Sequence, residues 1–464
     1  MTGERLTYRF GPLERRGILG QLRGGQAAAV AAGALAAIVV LDRAPTAAGA
    51  FLGTLLLAGA LFVAFAPVGR RTTDEWIPVA VSFGLRFVRG RLRFRSSAPA
   101  GGMTAAERPG PLRRLVRHPA PDAPAALRGV RIVEAPYRDH PVGVVREQRG
   151  RRLTAVLACR VLAFSLLDPE GQERRLARWG LILAGAAGGA VRRLQWIERT
   201  APAQGDELAR WLHDERDPAV PLRGTPIIES YLELIGATTK AAQEHEVLIA
   251  VQIDARRVAD RGHAAAMGAL IEHTERVAQG LEAAEPDRDG LAEANAWPLG
   301  AREHWEQYAS DGAVHATFWI GAWPRVDVSP MFMDALLGHS HVVRTVAVTF
   351  EPIAPDRSTR EVEAAVTRDH ADRELRHRFG QAETARHRQT EEATMRREAE
   401  LAAGHAEVRL AGFVTVSGRD RDDLRRACSW TSEQAARARL ELHRMYGQQA
   451  EAFAFTLPLC RGLR

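Results

Sequence analysis

Two long apolar stretches near the start of the chain constrain its fold more than any other feature. Gly24–Leu41 contains one polar side chain, Gln26, and Ala47–Val68 is interrupted only by Thr54. Each stretch is long enough to cross about 30 Å of hydrocarbon as a helix, and the short segment between them forces the two helices to be antiparallel. A signal peptide fits less well, because the first stretch starts late and a second follows almost at once. We therefore predict a transmembrane hairpin within residues 1–96, with spans at about 24–41 and 47–68.

Arginine is concentrated on one side of this hairpin. The turn between the stretches contains only Arg43, beside Asp42. The flanking arginines are Arg5, Arg9, Arg15, Arg16 and Arg23 before the hairpin, and Arg70, Arg71, Arg86, Arg89, Arg91, Arg93 and Arg95 after it. The positive-inside rule predicts two spans in the inner (plasma) membrane, with the N- and C-termini in the cytoplasm. Since this topology accounts for much of the formal net charge of +7, we expect no direct nucleic-acid site.

The segment after the second span has the pattern of an amphipathic helix. Its apolar and basic residues fall on different faces: Trp76, Val79, Ala80, Phe83 and Phe87 on one, and Arg86, Arg89 and Arg93 on the other. Aromatic rings and arginines beside a bilayer are typical of a helix that lies on anionic lipid head groups. A helix that docks on a cytosolic domain would have the same pattern, and both interpretations stay open. The candidate membrane-interface residues are Trp76, Phe83, Phe87, Arg86, Arg89 and Arg93.

Beyond the hairpin the composition changes twice. Residues 97–128 are rich in proline and glycine, which predicts a linker. From residue 129 onward, segments with strand patterns alternate with segments of helical period. This alternation predicts the α+β class, with cytosolic α/β sandwich units. Helices on one side of the sheet favour a ferredoxin-like arrangement, occurring twice.

The first cytosolic unit is predicted to span residues 129–308, of which 285–308 are expected to be irregular. The second unit is predicted to span residues 309–464. It contains a long polar helix at 359–403, supported by oppositely charged residues four positions apart, and it closes with a strand at Ala452–Leu457.

The sequence offers little catalytic chemistry. Lys240 is the only lysine, and it does not follow the glycine pattern of a phosphate-binding loop, which excludes a standard P-loop ATPase. The three cysteines, Cys159, Cys428 and Cys460, are far apart and match no zinc or disulfide pattern. We therefore predict that the chain is not an enzyme and has no cofactor or metal site.

The N-terminal region resembles a known family. Tyr8–Gly17 (YRFGPLERRG) leads into the hairpin, Gly24-Gly25-Gln26 keeps part of a glycine-arginine-glutamine start of the first helix, and Asp74-Glu75-Trp76 follows the hairpin. This pattern is similar to an actinobacterial family of PrgI-like integral membrane proteins, which is found with type IV secretion or conjugation components.

The C-terminal region has a second resemblance. Its motifs are Gly404–Val408, Asp420–Leu424, Leu440–Leu442, Tyr446–Gln449 and Leu457–Leu463. They are similar to the N-terminal domain of conjugation ATPases, up to the point where the motor domain begins. The two resemblances imply a membrane-anchored scaffold subunit of a conjugation or type IV-like secretion apparatus, without a motor of its own. Such a subunit would dock a separate P-loop motor ATPase, and we expect it to form a homo-oligomer.

Two other interpretations stay open. A membrane subunit of a type VII secretion core also has two N-terminal spans and a cytosolic α/β domain. A membrane-tethered enzyme with an unrecognised acidic site belongs to a different class. Converging carboxylates and histidines in a cleft would favour the enzyme, whereas a continuous apolar or charged flank without a deep pocket would favour the scaffold.

Overall fold

The computed structural model describes residues 24–68, 71–96, 123–138, 140–159, 164–202, 243–258, 262–281, 284–286, 298–324, 326–338, 342–378, 385–403 and 406–463, together with residues 226, 229, 230 and 233. The α-helices are α1 (Gly24–Arg43), α2 (Ala47–Phe65), α3 (Thr73–Val88), α4 (Pro169–Ala186), α5 (His263–Leu281), α6 (Asp334–Leu337), α7 (Pro355–Arg378), α8 (Ala385–Ala402), α9 (Arg421–Arg437) and α10 (Gln449–Ala454).

The strands fall in the same chain order. They are β1 (Pro67–Val68), β2 (Arg71–Thr72), β3 (Arg93–Arg95), β4 (Arg131–Tyr137), β5 (His140–Glu147), β6 (Arg152–Cys159), β7 (Val191–Pro202), β8 (Gln243–Asp254), β9 (Ala284–Pro286), β10 (Gly300–Glu303), β11 (Tyr308–Ser310), β12 (Ala313–Ala322), β13 (Val343–Pro352), β14 (Val408–Gly418) and β15 (Glu441–Arg444).

The first two helices are long and apolar enough to span a membrane, as the sequence predicts. They pack closely because their contacts are made by small residues. A Cβ atom added to Gly33 would lie 2.2 Å from Cβ of Ala60, so the backbones could not approach this closely with a larger residue. The one polar side chain of the first span, Gln26, donates a hydrogen bond to the carbonyl of Ala64 at 3.0 Å. Large apolar side chains of α2, such as Phe51, remain on the outside.

Most of the remaining strands form one large antiparallel sheet. Its main path runs β3-β10-β11-β12-β14-β13-β7-β8-β6-β5-β4, with β15 paired to β12 and β9 paired to β6. The α+β class predicted from the sequence is confirmed. The division into two domains stays a prediction. Both predicted units contribute to the same sheet through the long antiparallel pairing of β7 with β13.

The chain order of elements repeats within this sheet. The first set is the hairpin β4-β5, then β6, α4, β7, β8, α5 and β9. The second is the hairpin β10-β11, then β12, α6, β13, β14, α9 and β15, with α7 and α8 between β13 and β14. In each set four strands have the same spatial order: β9-β6-β8-β7 in one and β15-β12-β14-β13 in the other. The two sets meet through their equivalent strands β7 and β13.

The helices cover one face of the sheet. In the first set, α4 and α5 pack on a core that includes Leu153, Leu194 and Ile253, all fully buried. In the second set, α6 and α9 cover a core that includes Phe318 and Val416. Alternating side chains place these residues on one face of the strands, and the polar residues between them face the other side.

The C-terminal segment 455–463 crosses the opposite face and contacts both sets. Buried polar side chains hold it: Gln195 donates to the carbonyl of Phe455 at 2.8 Å and accepts from the amide of Cys460 at 2.7 Å. Thr349 of β13 donates to the carbonyl of Arg461 at 3.0 Å. Because these buried backbone groups have partners, an irregular segment is stable against the sheet.

Two predicted elements differ in detail. The polar helix predicted at 359–403 is described as α7 and α8, and residues 379–384 lie outside the described ranges. The strand predicted at Ala452–Leu457 is wrong, because this part of the chain forms the end of α10 and an irregular segment. Most of the predicted linker, and Lys240, lie outside the described residues. The end of that linker, at Ala125–Leu127, is a short 3-10 turn with Leu127 buried.

Candidate functional site

The juxtamembrane helix α3 docks on the sheet through its aromatic residues. Trp76 stacks on Trp305 with ring centroids 6.0 Å apart, and it lies 5.9 Å from Tyr446. Phe83 meets the same Trp305 edge-on at 5.1 Å. Aromatic pairs at these distances stabilise a contact by about 0.5–1.5 kcal/mol beyond the apolar area that they bury. The hairpin is therefore connected to the sheet through a packed helix.

An ion pair completes this contact. Arg86 of α3 donates to Oε2 of Glu303 at 2.7 Å, and its other terminal nitrogen donates to the carbonyl of Gly447. The backbone amide of Ala450 donates to Oε1 of Glu303 at 3.2 Å. Burial raises the pKa of the Glu303 carboxyl, and the positive charge of Arg86 opposes that rise in part. Arg86 and Ala450 thus stabilise a carboxylate that is almost fully buried.

The backbone at Gly447 suits this close approach. Its φ is +66°, in the left-handed region that favours glycine, and an added Cβ would lie 2.5 Å from the ring of Trp305. A side chain at this position would therefore separate Trp305 and α3 from the turn that accepts the Arg86 hydrogen bond.

The opposite side of α3 is exposed and apolar. Ile77, Val81, Leu85 and Val88 recur at intervals of three or four residues, so they form one stripe along the helix, and all four are exposed. Phe87 follows Phe83 by four residues and so lies in the row of the docked aromatic residues, yet it is 69% exposed. We call Ile77, Val81, Leu85 and Val88 the exposed stripe.

The structure divides the predicted membrane-interface residues into two groups. Trp76, Phe83 and Arg86 contact the large sheet or the segments beside it. Phe87, Arg89 and Arg93 are exposed. Docking of α3 and membrane contact by the exposed stripe are compatible, because they involve different sides of the helix, whereas Arg89 caps α3 and Arg93 belongs to β3. The membrane contact itself stays a prediction.

A large, half-open cleft lies beside α3. It has a volume of about 2140 Å³, and α3, β3 and the 124–131 segment form its walls, with the C-terminal segment and β14 beneath. Nine arginines and four glutamates line it, so its walls are strongly positive. We call it the arginine cleft.

Three of the nine arginines hold the walls together. Arg86 binds Glu303. Arg193 is paired with Glu351 at 2.7 Å and donates to the carbonyls of Cys460 and Leu463. Arg461 binds the buried Glu147 and donates to the carbonyl of Ala126 at 2.6 Å. These contacts join the C-terminal segment to both sets of the sheet, and they also engage the two most buried carboxylates of the cleft.

The other six arginines make no ion pair within the part of the chain that the structure describes: Arg91, Arg93, Arg128, Arg131, Arg146 and Arg152. Four of them are exposed and two are half-buried. Burial, followed by the positive charges of Arg192 and Arg193, lowers the pKa of the Arg152 guanidinium. Unpaired like charges around a concave surface focus a positive potential that attracts anions.

Acid–base chemistry is poorly supported by the groups in this cleft. Glu147 and Glu303 are bound by arginines, and His443, on the far side, lies 3.2 Å from Glu441. Among the described residues there is no group of three or more histidines, cysteines or carboxylates that could hold a metal ion. The arrangement can bind an anion, and the other two glutamates of its lining are Glu75 and Glu451.

Sequence reasoning did not find the partners of α3 or the arginine cleft. Glu303 and Trp305 belong to the segment 285–308, whose prediction as irregular is wrong because it contains β10 and the start of β11. No local pattern marks residues that meet α3 more than two hundred positions away. The arginines of the cleft are scattered through the chain, so only the folded sheet brings them together.

The comparisons with known proteins add no family. No protein-family model matches the chain, and no curated protein matches it either.

Proposed function

We propose that this protein is a membrane-anchored scaffold subunit of a conjugation or type IV-like secretion apparatus, and that it docks a separate P-loop motor ATPase. The observation that carries the proposal is the connection between the hairpin and the sheet. Because α3 is packed on Trp305 and paired with Glu303, the membrane anchor holds a wide antiparallel sheet at a set position. The resemblances at both ends of the sequence indicate the kind of apparatus.

The proposal also covers the fold of each set of strands, the membrane topology, lipid contact and oligomeric state. Each repeated set of the sheet is a ferredoxin-like unit, supported by the shared β-α-β-β-α-β order and by the strand orders β9-β6-β8-β7 and β15-β12-β14-β13. The hairpin spans the inner membrane with both termini in the cytoplasm, supported by the arginine flanks. The exposed stripe and Arg89 contact anionic lipid, since apolar and basic groups here lie beside the spans. The protein assembles as a homo-oligomer.

A type VII secretion core subunit remains the alternative within the same class. The tethered enzyme is less well supported, because the buried carboxylates of the arginine cleft are bound by Arg86 and Arg461.

Purification of the full chain from mild detergent tests the scaffold function. We expect a P-loop ATPase to co-purify, and we expect the protein alone not to hydrolyse ATP. A matched control is the hairpin-only fragment 1–96 expressed at the same level, which should recover no ATPase. Recovery of a monomer without any ATPase, or measurable ATP turnover by the protein alone, would contradict the proposal.

A further inference from the structure

The arginine cleft contains more positive charge than its own contacts neutralise. Arg86, Arg193 and Arg461 are engaged in the walls, whereas six arginines have no carboxylate partner among the described residues. Mutual repulsion of like charges in a concave site disfavours the empty cleft. An anionic occupant would relieve that repulsion and form charge-assisted hydrogen bonds with the guanidinium groups.

The size of the cleft indicates a macromolecular occupant. Sites for small molecules enclose about 300–1,000 Å³, and the arginine cleft encloses about twice the upper value. A lone phosphate or a lipid head group would leave most of the arginines without a contact.

The lining distinguishes a polypeptide from a nucleic acid. Leu410, Met445 and Phe455 are half-buried apolar residues in the cleft, and they suit apolar side chains of a peptide. Single-stranded nucleic acid is bound by aromatic rings whose faces are free for base stacking. Here the ring of Phe455 packs against Phe413 with centroids 4.8 Å apart, and Trp319 meets His443 edge-on. These contacts cover part of the ring surface that base stacking would need, and they leave the apolar side chains for a peptide.

We propose that the arginine cleft binds an acidic polypeptide segment of a partner protein, one that combines carboxylates with apolar side chains. Arginine clusters recognise acidic motifs through bidentate hydrogen bonds, and arginine is enriched at protein interfaces. The inference rests on the proposed function, since it names the surface through which the scaffold binds its partner. It adds the chemistry of the segment that this partner must present.

Fluorescence anisotropy with the full chain in detergent tests the proposal. The probe is a short fluorescein-labelled peptide of Glu-Glu-Leu-Phe repeats. A matched peptide of Lys-Lys-Leu-Phe repeats and a thymidine oligonucleotide are the comparison probes. We expect the acidic peptide to bind most tightly and its affinity to fall as salt is added, because exposed arginines are screened by ions.

The variant Arg128→Glu/Arg131→Glu reverses two exposed charges on one wall, and we expect it to weaken binding of the acidic peptide by about tenfold or more. The matched control, Arg396→Glu/Arg437→Glu, reverses two exposed arginines outside the cleft and should leave binding unchanged. The milder Arg128→Gln/Arg131→Gln variant should show a smaller loss, and it serves if the charge-reversed protein is not folded.

Three results would overturn the proposal: equal binding of the acidic peptide by wild type and the Arg128/Arg131 variants, equal binding of the acidic and basic peptides, or tighter binding of the oligonucleotide. The result also separates the two proposals of function. If the acidic peptide binds but no ATPase co-purifies, the proposal for the arginine cleft is supported and the proposal that the protein docks a motor ATPase is contradicted. If the ATPase co-purifies equally well with the Arg128→Glu/Arg131→Glu variant, the scaffold function stands and the cleft proposal fails.

Discussion

The ion pair between Arg86 and Glu303 offers a sharp test of how the membrane anchor is held. The Glu303 side chain is 4% exposed and that of Arg86 is 29% exposed. Removing one partner of a buried pair costs about 3–5 kcal/mol, because the other charge stays buried without compensation. Arg86 is partly in solvent, so we expect Arg86→Met to destabilise the docked state of α3 by about 2–3 kcal/mol.

Replacing the Glu303 carboxylate should destabilise the docked state of α3 much less than replacing Arg86. Glu303→Gln keeps one carbonyl acceptor, which serves either the Ala450 amide or Arg86 but not both, and it removes the desolvation penalty that raises the pKa of Glu303. We expect a loss of about 1 kcal/mol or less. In the double variant Arg86→Met/Glu303→Gln no buried charge is left alone. It should therefore be more stable than Arg86→Met, with a coupling energy of about 1–2 kcal/mol.

Hydrogen exchange measured by mass spectrometry reports this local opening directly, without requiring reversible unfolding in detergent. The amides of α3 and β10 should exchange roughly 30- to 150-fold faster in Arg86→Met. The matched control is Arg425→Met, which breaks the exposed pair with Asp422 on α9. It should change the free energy of local opening by less than about 0.5 kcal/mol. The reasoning is refuted if both arginine variants behave alike, or if the double variant exchanges as fast as Arg86→Met.

The pH dependence of exchange gives the sign of the Glu303 contribution. A carboxyl whose pKa is raised on folding contributes stability that is present below the unfolded pKa and is lost as the pH rises through the folded pKa. Without Arg86 the pKa of Glu303 rises further. Acidification from about pH 7 to about pH 5 should therefore slow α3 exchange in Arg86→Met more than in wild type, after correction for intrinsic rates.

Two further predictions concern the second set of the sheet and the C-terminal segment. Arg461→Met leaves the buried Glu147 without its counter-charge, so the amides of residues 455–463 should exchange faster, with a loss of local stability of about 2–4 kcal/mol. Unchanged exchange there would contradict the role of Arg461 in holding the C-terminal segment. Burial lowers the pKa of His315 to about 4, so its stabilising contribution is present above the unfolded value and is lost as the pH falls towards 4. NMR titration should show this imidazole neutral at pH 5, and an ordinary histidine pKa would refute its burial.

Helices that begin at a capping residue and a proline could be predicted from the sequence. Asp168 accepts from the amide of Gly171 at 2.9 Å, and Pro169 occupies the first turn of α4. This cap and proline are readable in any sequence because they act on neighbouring backbone groups. The apolar runs of the hairpin are equally local, since length and hydropathy alone decide whether a helix can span a membrane.

Elements determined by distant contacts were not predictable in the same way. Residues 452–457 alternate apolar and small side chains like a strand, yet α10 forms there. Gln449 at the start of α10 accepts a hydrogen bond from the backbone amide of Thr317 in β12, with its Oε1 at 2.9 Å. This side chain thus occupies an amide that would otherwise pair with a neighbouring strand. A contact over so long a separation leaves no mark in the local pattern.

The positions of the three arginines in the cleft walls explain why its occupant would act on the whole protein. Arg86 belongs to the helix that continues from the membrane hairpin, Arg193 to β7 at the junction of the two sets, and Arg461 to the C-terminal segment. An occupant that binds only the assembled cleft stabilises all three parts by the same linkage free energy, about 2.7 kcal/mol when its concentration is about 100 times the Kd. Binding at the cleft is thereby coupled to the docking of α3. Occupancy of the cleft and the contact between α3 and the sheet should therefore change together.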